Sequence, residues 1–196
     1  MSARPAGLLA QSLTGAALAL LLISVEARGD ISLFGAYWDN IARAAAVNDA
    51  EKVRQLVTGG NNPSNDVDDN GRTGLHIAAL NGNLQIAAIL IKANVHLDVR
   101  DPLGNTPLHL AVERSHAEMV KLLLDVGAPP DAENRNGMTP LMIAASKGNV
   151  EIVQALLAKG ANPRKTDFTG RDALSWAADS HKAVVVQALQ RAAAKR

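Results

Sequence analysis

Along most of this chain the apolar and polar positions follow an order that returns at a constant interval. Four stretches fall into register: NGRTGLHIAALNGN, LGNTPLHLAVERSH, NGMTPLMIAASKGN and TGRDALSWAADSHK. Their leucines, Leu75, Leu108, Leu141 and Leu174, are evenly spaced, and the turn glycines Gly71, Gly104, Gly137 and Gly170 keep the same interval. A second apolar landmark follows in MVKLLLDVGA (119–128) and IVQALLAKGA (152–161). A fixed period of this length predicts an array of small units, each burying its apolar face against the next.

The pattern is different at the start. Arg4 is the only charge before Glu26, and Ala16 to Val25 is an uninterrupted apolar run. Val25-Glu26-Ala27 then offers small residues at the outer positions of a cleavage site. The reading is a secretory signal over residues 1–27, cut after Ala27, with an uncleaved anchor as the alternative. Gln11, Ser12, Thr14 and Gly15 make the segment a poor span. The mature chain is then expected to be periplasmic or secreted. Arg28-Gly29-Asp30 matches an adhesion tripeptide, but so short a match beside a cleavage point carries no weight.

The repeated stretches resemble the ankyrin repeat, with its Thr-Pro-Leu-His signature at Thr106 to His109. The resemblance covers roughly residues 38–196 and implies an all-α repeat solenoid of about five ankyrin repeats, each a β-turn and two antiparallel helices. Residues 28–37 are assigned to an N-terminal capping segment. Residues 39–60 fit as a degenerate first repeat with Ile41 in the leucine place, one extra residue lying in NNPSNDVDDN (61–70). As part of an outer repeat, Ile41 is expected nearer to solvent than Leu108. Phe34, Tyr37 and Trp38 before the first repeat, and Trp176 and Phe168 in the last, are expected to cover the open ends.

Each signature residue has a local task. Thr106 can cap the first helix of its unit, and Pro107 loses no hydrogen bond at the first helical position. Leu108 enters the core between units, and Ala111 allows close helix approach. Gly127 and Gly160 provide left-handed stops after second helices. These tasks bear on His109, Glu113 and His116, whose spacing on one unbroken helix would suggest a zinc site. The signature instead ends the helix between Glu113 and His116. The resemblance makes His109, like His76, a residue that hydrogen-bonds within and between repeats and binds no metal. Met142 and Ser175 take its place in the later repeats.

Composition narrows the function. Twenty basic and nineteen acidic residues give a net charge of +1, and aromatics make up only 3%. Nucleic acid and membrane surfaces are therefore poor main partners. The absence of cysteine removes disulfides, thiolate sites and cysteine nucleophiles. Asp66, Asp68, Asn70 and Gly71 mimic the start of a calcium loop, but Ile77 stands where the bidentate glutamate belongs. Asp68, equivalent to Asp101 and Asp167, reads as a turn carboxylate. No serine or histidine has a fixed catalytic partner, so no enzyme, metal or cofactor is expected.

What remains is a non-enzymatic, exported protein-interaction module, of an exported bacterial type. The alternatives are a metal-binding or enzymatic protein, or an effector delivered to a host cell. The resemblance implies binding through the concave face and turn tips. Carried over position by position, the partner-binding residues are Arg72, Leu80, Leu103, Asn105, Arg114, Arg135, Met138, Lys147, Phe168 and Arg171. Apolar side chains among arginines suggest apolar anchors with charged contacts and a partner bearing an acidic patch. The protein itself is expected to be a monomer.

Overall fold

A computed structural model describes residues 40–59 and 66–194. The signal segment and the capping segment with Phe34 and Tyr37 lie outside these residues, as does Trp38. Among the described residues ten helices form five pairs. They are α1 (Ile41–Ala46) with α2 (Ala50–Thr58), α3 (Gly74–Asn81) with α4 (Leu84–Lys92), and α5 (Pro107–Glu113) with α6 (Ala117–Asp125). Then come α7 (Pro140–Lys147) with α8 (Val150–Ala158) and α9 (Ala173–Asp179) with α10 (Ala183–Ala194). First helices pack on first helices in the order α1, α3, α5, α7, α9, and second helices form a parallel layer, α2 to α10. This is the array of stacked units that the period predicts and the all-α repeat solenoid that the resemblance implies.

Local chemistry sets each boundary. Asn40, Thr73, Thr106, Thr139 and Asp172 are the N-caps of the first helices and are evenly spaced throughout. Oxygen-bearing side chains suit this position because the first helical N–H groups have no partner in their own helix. Each first helix is followed by a left-handed residue: Asn48, Gly82, Ser115, Gly148 and His181. The step from Asn48 to Gly82 is one position longer than the step between caps, and the later steps equal it. The stretch from cap to turn is thus one residue shorter in α1, and the extra residue before the second repeat restores the period. Counted from its cap, Ile41 takes the first helical position, where Pro107 and Pro140 stand.

The core is aliphatic. Leu75, Leu108 and Leu141 are buried, while Leu174, in the last pair, is only half-buried. Ile41 departs from expectation, because it is fully buried. The reason is Gly74, which replaces the proline of the signature. A Cβ there would lie 2.9 Å from Ile41 Cγ2. The missing side chain leaves room for the isoleucine of the preceding unit.

Between the pairs, Asp68, Asp101, Asn134 and Asp167 each build the same turn. Asp101 Oδ1 accepts the backbone N–H groups of Leu103 at 2.9 Å and Asn105 at 2.8 Å, and Asp68 does the same for Asn70 and Arg72. Side-chain oxygens of this kind compete well for backbone donors in turns. The Asp68 carboxylate is therefore engaged by its own loop. Asp66 is likewise engaged, accepting from the Ile41 N–H at 2.6 Å.

The histidines join units. His109 Nδ1 accepts the Thr106 N–H at 3.2 Å and lies 2.9 Å from the Thr106 hydroxyl. That nitrogen is therefore unprotonated, and the proton sits on Nε2. Nε2 faces the Met138 carbonyl at 3.1 Å. His76 repeats the arrangement with Thr73 and the Asn105 carbonyl. Burial pulls both imidazoles below the usual histidine range, His109 to about 4, against the opposing pull of the carbonyl bonds. α5 ends at Glu113, and His116 opens α6 and donates from Nε2 to the Leu80 carbonyl at 3.1 Å. His109, Glu113 and His116 hence share no helical face.

Candidate protein-interaction face

The turns between pairs project beyond the helices and are tied to one another. The Arg135 N–H donates to the Leu103 carbonyl at 3.0 Å, and the Phe168 N–H donates to the Asn136 carbonyl at 3.2 Å. The next turn also roofs Gly71, Gly104 and Gly137. A Cβ at Gly71 would meet the Pro102 ring at 2.9 Å, one at Gly104 the Arg135 nitrogen at 2.7 Å, and one at Gly137 the Phe168 ring at 2.7 Å. These glycines therefore serve close tip-to-tip packing as well as a positive φ. The result is a row of tips with a fixed backbone.

On that row the predicted residues divide. Leu103 is 61% exposed and Phe168 is 75% exposed, although the ring of Phe168 rests on Gly137. Arg114, Arg135 and Lys147 are exposed, and no ion pair involves them among the described residues. Arg72 and Arg171 are half-buried and have intramolecular partners. Arg72 Nε points to the buried Asp101 at 3.8 Å, and Arg171 Nη1 reaches Asp179 at 3.1 Å. Leu80 and Met138 are half-buried rather than free, and Met138 packs against the core.

Asn105 is a correction. It is 8% exposed, not a surface contact. Its side chain donates to Asp101 and accepts from Asn134 Nδ2 at 3.0 Å, which locks two successive turns together.

Met138, Phe168 and Arg171 are brought together. With Asn136, Asp167, Thr169 and Trp176 they line a hollow of about 260 Å³ between the fourth and fifth units. Sequence reasoning placed Trp176 at an open end. The structure instead sets its ring under the Arg171 guanidinium, 3.5 Å from the ring centroid. The indole N–H donates to Asp167 Oδ2 at 3.0 Å. Burial pushes the Asp167 carboxyl up, but bonds from the Thr169 hydroxyl, the backbone N–H groups of Arg171 and Thr169, and this indole outweigh it and hold it at about 2. A fixed anion thus holds the indole, and the indole holds the arginine. Trp176 stands out in the sequence as one of few aromatic residues, but nothing local tells an end cover from a hollow wall.

No helix among the described residues is long and apolar enough to cross a membrane. No group of three or more His, Asp or Glu side chains among them could hold a metal ion. A family profile described as ankyrin repeats (3 copies) matches residues 41–134 and 126–195. No curated protein matches the chain.

Proposed function

Because the chain belongs to the ankyrin-repeat family, whose members are generally protein–protein interaction modules, we propose that it binds a partner protein through its concave face and turn tips, with residues at the C-terminal ends of the first helices taking part. The observation that carries this reading is the exposure of Leu103 and Phe168 on tips whose backbones are hydrogen-bonded to neighbouring tips. Exposed apolar side chains on a rigid support lose little conformational freedom on binding. Arg135 on the same row of tips, and Arg114 and Lys147 where the first helices end, add exposed positive charge, which suits a partner bearing an acidic patch. The binding set is Arg72, Leu80, Leu103, Arg114, Arg135, Met138, Lys147, Phe168 and Arg171, with Asn105 withdrawn to its structural task. The protein acts as a non-enzymatic monomer without a cofactor.

The setting belongs to the same proposal. Residues 1–27 are a signal removed after Ala27, residues 28–37 a capping segment, and residues 38–196 the binding domain, in an exported bacterial-type protein that works in the periplasm or outside the cell. The apolar run Ala16–Val25 and the small residues at Val25 and Ala27 support this.

Two experiments test the reading. Affinity capture from extracts of the source cells, with the wild-type chain and a Leu103→Asp/Arg114→Glu variant as baits, should yield a specific protein lost only in the variant. Equal recovery by both baits rejects the tip face. N-terminal sequencing of the chain from a periplasmic fraction should begin at Arg28, and an intact Met1 in the cytosol rejects export.

A further inference from the structure

We propose that the hollow between the fourth and fifth units is the anchor site for one bulky apolar side chain of the partner, followed closely by an Asp or Glu that takes over Arg171 from Asp179. The inference rests on the protein-binding reading above and specifies what that face recognises.

Size, wall chemistry and charge agree on this occupant. At about 260 Å³ the hollow falls below the roughly 300–1,000 Å³ of small-molecule pockets. That volume suits a single side chain entering from a peptide. Phe168, Met138 and Trp176 supply an apolar lining. Two of these are aromatic, and aromatic residues dominate the energetics of protein contacts.

The lining is also preorganised. Phe168 rests on Gly137 and its N–H is bonded to Asn136. Trp176 is fixed by Asp167, which is itself fixed by the backbone N–H groups of Thr169 and Arg171. An aromatic residue that is 75% exposed yet held on both its backbone and its ring does not need to be ordered when the partner arrives.

Arg171 gives the site its sign. Its guanidinium lies over the Trp176 ring and Arg171 lines the hollow, so its position is set before binding. Its Nε donates to the Thr169 hydroxyl at 3.3 Å and lies 4.0 Å from the buried Asp167 carboxylate, while its Nη1 is held by Asp179, whose side chain is 60% exposed. Exposed ion pairs contribute little and exchange readily. A carboxylate on an incoming peptide, placed beside an already docked apolar group, makes the same contact with water excluded. Arg135, exposed on the preceding turn, extends the preference for acidic sequence.

The test is selection of a phage-displayed random dodecapeptide library on the full chain. Enriched sequences should contain a bulky apolar residue with Asp or Glu within about three positions, a spacing set by the reach of an extended chain. Synthetic peptides of those sequences should change Trp176 emission in a Trp38→Phe chain, where Trp176 is the only tryptophan. Their affinity should fall at least about tenfold with Phe168→Ser, the loss of a central aromatic anchor. It should rise severalfold with Asp179→Asn, which removes the exposed competitor for Arg171 Nη1. Failure to enrich, enrichment of neutral or basic sequences, undiminished binding to Phe168→Ser, or weaker binding to Asp179→Asn each overturns the proposal. Neither Leu103 nor Arg114 lines the hollow. If the hollow fails while Leu103→Asp/Arg114→Glu still abolishes capture, the broader protein-binding reading stands.

Discussion

The imidazole of His109 donates from Nε2 to the backbone carbonyl of Met138, 3.1 Å away in the following repeat, while its Nδ1 accepts the N–H of Thr106. Both ring nitrogens are used, and only one neutral tautomer fits. A second proton would put a donor on Nδ1, directly against another donor.

Stability should therefore depend on pH in a defined window. The His109 imidazole titrates at about 4 in the folded chain, against 6.5 when free, and His76 is shifted the same way. Between these values the unfolded chain binds protons that the folded chain excludes. The contribution is complete above about pH 6.5 and is lost as pH falls toward 4, amounting to about 3 kcal/mol for His109. Urea unfolding at pH 7.5 and 4.5 should show this loss in the wild type and a smaller one in His109→Gln. Asp167 acts lower, from 3.8 down to about 2. Chelation with EDTA at neutral pH should leave the melting temperature unchanged, since His109 has no nitrogen left for a metal.

Core truncations should be costly at the first unit as well as in the middle. Leu108→Ala and Leu141→Ala should each destabilise by ~2–5 kcal/mol through lost contacts and the cavity left behind. Ile41 is equally buried, so Ile41→Ala should fall in the same range. Urea midpoints of the three variants provide the comparison, and a nearly neutral Ile41→Ala would contradict the packing of the first unit.

Gly137 and Gly170 allow tip packing to be separated from backbone strain. Both have positive φ, +73° and +81°, so alanine costs about 1–2 kcal/mol at either from conformation alone. At Gly170 nothing lies within 4 Å of the added Cβ, whereas at Gly137 the Phe168 ring lies at 2.7 Å and its backbone nitrogen at 2.9 Å. Gly137→Ala should therefore be clearly the more damaging in thermal melts, and the excess measures how tightly adjacent tips are packed.

Gly74 gives a coupled pair. Alanine there should improve helix propensity by about 1 kcal/mol in isolation. Contact with Ile41 Cγ2 at 2.9 Å should outweigh that gain, making Gly74→Ala destabilising in the wild type. In an Ile41→Ala background the same change should be stabilising. A double-mutant cycle in urea that shows additivity would exclude the contact.

Much of this fold can be read from the period of the sequence, because the caps, turn carboxylates and glycines that enforce it are chosen locally. Thr106, Asp101 and Gly104 each act on close neighbours in the chain. The fate of tip side chains is not chosen locally. Asn105 turns inward because Asn134, one unit later, donates to it, and Leu103, just before it, has no such neighbour and stays in solvent. Ile41 is buried because a glycine in the next unit makes room. The hollow arises only where Phe168 and Trp176 of one unit meet Met138 of another. Such features depend on pairs of side chains a whole repeat apart, which no short window of sequence displays.

The constant distance between helix caps makes chain length a separable variable in this protein. Excising residues 106–138 would join Asn105 directly to Thr139, and Thr139 would then follow Thr73 at the interval that Thr106 keeps now. His76 would keep its acceptor, the Asn105 carbonyl, and the shortened chain would carry one such imidazole bond between units instead of two. Duplicating the same block would lengthen the array without introducing a foreign junction chemistry. In an assembly whose stability is a sum over nearest neighbours, a family of chains cut and spliced at these points turns the cooperativity of folding into a quantity measured simply by counting units.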